Sequence, residues 1–286
     1  MPRKVQPTPA SSEQEWKSIL PRGYLSPSSI QSYLMCPKAW EYDYLHKQER
    51  TSSPAADEGK AFHAAVEFIH RKMEQGEDWD LTEVLDGPWT KAVTDYASQA
   101  GFSPEDMDAY FSEAGLPEMR ERATEFIQQW DRYYLKGKPF SSIHTVEEAV
   151  EGEIGGIPTR GFIDLTYWFK HPEVKKRSIK RIVDFKVVKR AKSEKDALNS
   201  IQLGIYSILT GVRNVGFVSC SKTTGKVTTQ FVTLEDSHLR RVKGVVRSVA
   251  EAIKKRSFPY CDPSHWKCSP MFCDAFEVCP QGGGDE

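Results

Sequence analysis

The sequence predicts an α/β fold, a helical N-terminal half followed by a core built on a mixed, partly antiparallel sheet. Three observations predict it. From about Val146 the chain becomes a series of runs rich in β-branched and aromatic residues: VEEAVEGEI, TRGFIDLTYWF, SIKRIVDFKVV, VGFVSC and KVTTQFVTL. Before that point the capping and spacing signals are those of helices. Among and after the strand runs lie two helical stretches, EKDALNSIQLGIYSIL and SHLRRVKGVVRSVAEAIKKR, long enough to cover a sheet.

Taken in order, residues 1–22 read as a flexible leader, because MPRKVQPTPASSEQEW is rich in Pro, Ser and charge. Ser26-Pro27-Ser28-Ser29 then supplies capping chemistry for a helix over IQSYLMCPKAWEYDYL, which Pro37 interrupts. The polar turn KQERTSSPAADEGK leads into a second helix near AFHAAVEFIHRKM. Further helices are expected between Trp79 and Tyr134, with loops at Gly101 and around Gly115 to Pro117. Gly155-Gly156 suits the turn between the first two strands, and Thr223-Thr224-Gly225 the turn between the last two. This organisation is one domain over 23–280. It has a helical region to about 140, an α/β core over about 145–257 and a cysteine-rich tail over 258–280, followed by a flexible 281–286.

Composition narrows the function. Lys and Arg number 39 against 40 Asp and Glu, a net charge of −1, which argues against a small, strongly basic DNA-binding module. A groove with local positive charge is still allowed. No apolar run is long enough to span a bilayer, and the N-terminal residues lack the apolar middle of a secretory signal. The expected setting is cytoplasmic, where thiols stay reduced.

The stretch RIVDFKVVK, Arg181 to Lys189, is a strand with two charges in its middle. Asp184 and Lys186 are two apart, so they point to the same face. Alone, such a pair also suits an ordinary strand with one wet face. In GFIDLTYW, however, Asp164 is a second lone carboxylate among apolar neighbours. Two such strands side by side would bring the carboxylates together, and the pair would repel without a cation between them. A hard divalent ion such as Mg²⁺ or Mn²⁺ accepts these ligands, and with a lysine alongside it suits phosphodiester hydrolysis.

Gly161-Phe162-Ile163-Asp164, then Asp184-Phe185-Lys186, then Gln202-Leu203-Gly204-Ile205-Tyr206 resembles the PD-(D/E)XK nucleases of the RecB type. The resemblance spans roughly residues 24 to 280. It implies a restriction-endonuclease-like core, with Asp164 and Asp184 on the metal and Lys186 as catalytic base or electrostatic stabiliser. It implies His63, in EGKAFHAAVEF, and the Phe185 carbonyl as further ligands, with Glu67 a weaker candidate. Gln202 and Tyr206, four apart on one helix face, are expected to contact DNA or orient Lys186. The implied activity is a metal-dependent DNA exonuclease in end resection, recombination, repair or replication, similar to phage enzymes. A single-strand annealing protein or a helicase is the implied partner. The alternative is a non-catalytic DNA-binding or scaffolding module on the same fold.

Four of the six cysteines, Cys261, Cys268, Cys273 and Cys279, fall in the last tenth of the chain. In a reducing compartment this clustering points to metal. Together with Cys36-Pro37 the pattern resembles the RecB-type nucleases that hold a [4Fe–4S] cluster with one upstream and three downstream cysteines. The resemblance implies Cys36, Cys268, Cys273 and Cys279 as ligands, although the gap between Cys268 and Cys273 is wider than in the helicase–nuclease version. Cys261 and His265 leave open a local Zn²⁺ site in the tail, and with it a zinc-stabilised interaction domain. Cys220, at a strand end, reads as an ordinary buried thiol.

Overall fold

A computed structural model describes residues 9–46, 54–99, 116–136, 140–170, 178–222 and 224–283. The expected loops at Gly101 and Gly115, and residues 47–53 of the polar turn, lie outside them. Among the described residues five strands form one sheet in the order β1-β2-β3-β4-β5. They are β1 (Phe140–Glu153), β2 (Pro158–Lys170), β3 (Ser178–Val188), β4 (Asn214–Ser221) and β5 (Val227–Thr233). All neighbours are antiparallel except β3 and β4, which are parallel and need a helical crossover between them. The mixed sheet is the expected one. Gly155 and Gly156 turn the β1–β2 hairpin with φ of 66° and 77°, values that glycine takes without strain.

The crossover is α8 (Glu194–Asn199) and α9 (Ile201–Thr210). The sequence reads as one helix there, but Ser200 ends α8 and caps α9 by accepting from the Leu203 N–H. α9 packs with α10 (Asp236–Lys254), α2 (Pro27–Met35) and α3 (Pro37–Tyr44) over one face of the sheet. α10 shows the reason for its placement: Leu239, Val242, Val246, Val249 and Ile253 form one buried stripe at helical spacing, opposite exposed Arg240, Lys243 and Arg247. The break between α2 and α3 falls at Cys36, one residue before Pro37, as that proline requires.

The other face is covered by α4 (Pro54–Gln75) and by α7 (Leu116–Gln129), which continues as a π-turn over Trp130–Leu135. α4 is apolar on two stripes. Phe62 and Val66 meet the sheet with Phe126 and Trp130, while Ala61, Ala65 and Ile69 meet α5 (Leu81–Val84), its π-turn at Leu85–Trp89, α6 (Thr90–Gln99) and α7. A helix buried on both sides is held firmly, and this one carries a histidine of the site.

One expectation needs correction. Part of the presumed leader is helix α1 (Pro9–Ile19), with Trp16 only 1% exposed in the core and Glu15 paired to Lys254 at 2.7 Å. A tryptophan and Leu20 bury enough apolar surface to dock a segment whose composition looks disordered. Residues 1–8 lie outside the described ones. No helix among the described residues is long and apolar enough to cross a membrane.

Candidate active site

The β1–β2 hairpin changes faces at one point. Val146 pairs with Leu165 and Glu148 with Ile163, so Glu147 stands opposite Asp164. Val150 and Ile163 pack beneath α9 and α10, yet Val146 and Leu165 pack beneath α4. In a regular strand residues an even number apart share a face, so both strands must be irregular here. The irregularity is visible at Glu147, whose φ is 49°, a value rare for a residue with a Cβ and one found where surroundings impose it. The ladder register does not shift here, so the distortion re-aims side chains without adding a residue to either strand.

β2 and β3 part at the same place. Their ladder ends at Leu165–Val183, and beyond it Asp164 turns its carboxylate into the gap, where Oδ2 accepts the Phe185 N–H at 2.6 Å. α4 brings His63 to this point, with Nδ1 3.7 Å from Asp164 Oδ2 and the ring hydrogen-bonded to the Phe185 carbonyl. Ligand-capable atoms of His63, Glu147 and Asp164 all lie within 4.8 Å of one another. Burial, then the charge of Asp184, pushes the Asp164 carboxyl well above its usual range. Burial and Glu67 raise Glu147 likewise, and burial holds His63 below the ordinary imidazole value, so it is neutral near pH 7.

Asp184 stands beside this group rather than within it. It is 1% exposed, its Oδ2 lies 2.7 Å from Lys186 Nζ, and its Oδ1 has no hydrogen-bond partner among the described residues. Lys186 Nζ also donates to Gln202 Oε1 at 3.4 Å, Gln202 Nε2 donates to the Tyr206 hydroxyl at 3.0 Å, and that hydroxyl donates to the Phe162 carbonyl. Burial alone would lower the lysine's pKa, but Asp184 and then Asp164 outweigh it and the net shift is upward. Lys186 is therefore an ammonium. Burial and Asp184 likewise keep Tyr206 a neutral phenol. Gly161 makes room for the relay: a Cβ there would come within 2.7 Å of the Tyr206 ring.

The expected residues His63, Asp164, Asp184, Phe185, Lys186, Gln202 and Tyr206 thus meet at one place, where His63, Glu67, Glu147, Asp164 and Lys186 line an open cleft. Glu147 was not singled out from the sequence, where it is one of several glutamates in VEEAVEGEI. Counting ladder pairs back from Gly155-Gly156 would have placed it opposite Asp164. The donor set, oxygens with one imidazole and an unsatisfied buried carboxylate oxygen, fits a hard divalent cation.

The family model of the PD-(D/E)XK nuclease superfamily matches residues 24–280. This chain belongs to that superfamily. Members of the PD-(D/E)XK superfamily use divalent metals, in keeping with the donor set above. No curated protein matches the chain. Among solved structures, a protein from Eubacterium rectale provisionally named an exonuclease is 14% identical and superposes with a TM-score of 0.50, covering 99% of this chain and 94% of its own. At that identity the likeness is one of fold. A second, SSO0001, is 14% identical with a TM-score of 0.34, covering 88% of this chain and 97% of its own.

This PD-(D/E)XK chain has a second cluster outside the cleft. Cys36, at the α2–α3 break, lines one small pocket together with Cys261, Cys268, Cys273 and Cys279. Cys261 belongs to the cluster as closely as the others: burial and the adjacent Cys36 and Cys268 push its thiol up to about 12. His265 does not line the pocket, and its Nδ1 accepts from the Lys267 N–H at 3.2 Å. Thiols drawn from two ends of the chain fit a soft metal or an iron–sulfur group. Cys220 is buried in the sheet away from them.

Proposed function

We propose that the chain is a RecB-like DNA exonuclease dependent on Mg²⁺ or Mn²⁺, acting in end resection, recombination, repair or replication. The observation that carries this reading is the meeting of the His63–Glu147–Asp164 group with the Asp184–Lys186 pair at one cleft. His63, Glu147, Asp164, the free oxygen of Asp184 and the Phe185 carbonyl are the atoms that would hold the cation. When bound, the cation would supply Lewis-acid stabilisation of charge developing on the phosphate.

The chain's own groups do the rest. Lys186, fixed as an ammonium by Asp184 and aimed by Gln202, neutralises a phosphate oxygen in the transition state. Its raised pKa favours this role over that of general base. Gln202 and Tyr206 position the lysine and tie α9 to the Phe162 carbonyl. α4, packed against both the sheet and the helical region, walls one side of the cleft. A helicase or an annealing protein would supply or take up the processed strand.

For the cysteine pocket we assign a [4Fe–4S] cluster on Cys36, Cys268, Cys273 and Cys279, with a structural role. The presence of Cys36 beside the tail supports this over a Zn²⁺ site confined to the tail.

Matched linear and covalently closed circular DNA, single- and double-stranded, tests the reading with Mg²⁺ or Mn²⁺ and with anaerobically prepared protein. Loss of linear DNA alone, abolished by Lys186→Ala, is expected. Cutting of circles would overturn the end requirement. No cleavage by metal-loaded protein would leave a DNA-binding module on a nuclease fold.

A further inference from the structure

Among the described residues, none covers the sheet face next to the cleft. α4 covers the hairpin only as far as Glu147 and Asp164. Beyond them Ala149 and Glu151 on β1 and Phe162 on β2 are exposed. Phe162 is 51% exposed although it lies two residues from a buried catalytic carboxylate, about 7 Å along the strand.

Its ring has a cation beside it. The Arg160 guanidinium lies 5.4 Å from the Phe162 ring centre and 5.9 Å from that of Tyr24. Tyr24 is held there because Leu25 bonds both Pro158 and Arg160 of β2 through the backbone, at 2.9 and 3.0 Å. Arg160 Nε is buried and has no hydrogen-bond partner among the described residues. Lys17 and Arg22 line the adjoining hollow, along with Glu151, which faces Arg160 across the ladder, and Glu153. The Tyr206 hydroxyl fixes the Phe162 backbone, so the ring is presented from a rigid strand.

We propose that Phe162 and Arg160 form a stacking platform for the single-stranded end of the substrate. A base lies on the Phe162 ring about one nucleotide from the cleft, and Arg160, aligned by Tyr24, binds the phosphate that follows. Ring stacking tolerates any base, and a guanidinium matches a phosphate, so the platform grips a strand without reading its sequence. The inference rests on the nuclease reading of the cleft, and its test separates the two.

The test measures binding by full-length Lys186→Ala protein in Ca²⁺, using single-stranded oligonucleotides that carry 2-aminopurine near one end. Stacking on Phe162 quenches the probe. Phe162→Ala is expected to weaken binding about 10- to 100-fold and to abolish the quench, while Phe162→Trp preserves both and shows that the fold is intact. Arg160→Ala is expected to lower the salt dependence by about one phosphate contact. Binding by Phe162→Ala within twofold of its parent, or equal losses on blunt duplex, overturns the platform. If the unaltered protein digests DNA while Phe162→Ala binds normally, the platform fails and the nuclease stands. If nothing is digested yet Phe162→Ala loses binding, the nuclease reading fails and the platform stands.

Discussion

Asp164 and Phe185 are joined across the gap where β2 and β3 separate, side chain to backbone N–H, at 2.6 Å. The bond ties the middle residue of Asp184-Phe185-Lys186 to the carboxylate on the neighbouring strand, so the two halves of the site keep one geometry. Asp164→Asn keeps an acceptor for that N–H and removes a charge that repels Asp184. It is expected to fold as well as the parent while losing metal-dependent cleavage by 100-fold or more. Asp164→Ala leaves a buried N–H unpaired and is expected to cost about 1–3 kcal/mol besides. Urea unfolding and a cleavage assay on both variants check the contrast.

Glu147→Gln is expected to reduce Mg²⁺ or Mn²⁺ affinity at least about tenfold. Metal-free protein should be no less stable in the variant, because a crowded carboxylate has been neutralised. The melting temperature with and without metal reads both effects. A metal-induced rise as large as the parent's would remove Glu147 from the donor set.

Gly161→Ala places a methyl against the Tyr206 ring. The ring must yield, and with it the chain of bonds through Gln202 to Lys186. The expected result is a stability loss of about 1–3 kcal/mol, partly reversed by Tyr206→Leu, which clears the clash, and a fall in kcat that Tyr206→Leu does not reverse because it removes the hydroxyl of the relay. A variant with unchanged kcat would show that the relay does not position the lysine.

His70 gives a pH signature. Its buried ring stacks on Phe185, its Nδ1 lies 2.7 Å from the Val66 carbonyl, and burial lowers its pKa to about 4. In the unfolded chain it titrates near 6.5, so between those values the unfolded state binds the extra proton. The His70 contribution is therefore intact above about pH 6.5 and is lost as pH falls toward about 4, by up to about 3 kcal/mol. His70→Gln should unfold less steeply over that window, measured by denaturant titration at successive pH values.

Cys36→Ala should abolish anaerobically bound iron and acid-labile sulfide, whereas Cys220→Ala should leave both unchanged. Cys261→Ala decides the ligand set: iron retained supports the assigned four, and iron lost places Cys261 among the ligands.

Much of the site was legible because its residues sit on regular elements. The two-residue spacing of Asp184 and Lys186 and the four-residue spacing of Gln202 and Tyr206 convert directly into shared faces, and the structure joins both pairs. Glu147 was hidden because it is one of several glutamates in a single strand run and stands out only when ladder pairs are counted back from the hairpin turn. Trp16 was misread because composition averaged over a polar segment conceals one large apolar side chain. Ser200 divides a stretch whose apolar content looks continuous, since a serine serves equally as a helix interior residue or as a cap.

The closure of α2 and α3 by the far end of the chain bears on how the protein is made. The Tyr33 hydroxyl donates to the Ser257 carbonyl, 224 residues later, and the Tyr42 hydroxyl to that of Val278, 236 residues later. At about 5–20 residues per second, the first of these partners leaves the ribosome roughly 11–45 s after the helix that awaits it. Throughout that interval the nascent α2–α3 segment, with Tyr33 and Trp40, lacks its cover and is a natural client for a ribosome-associated chaperone.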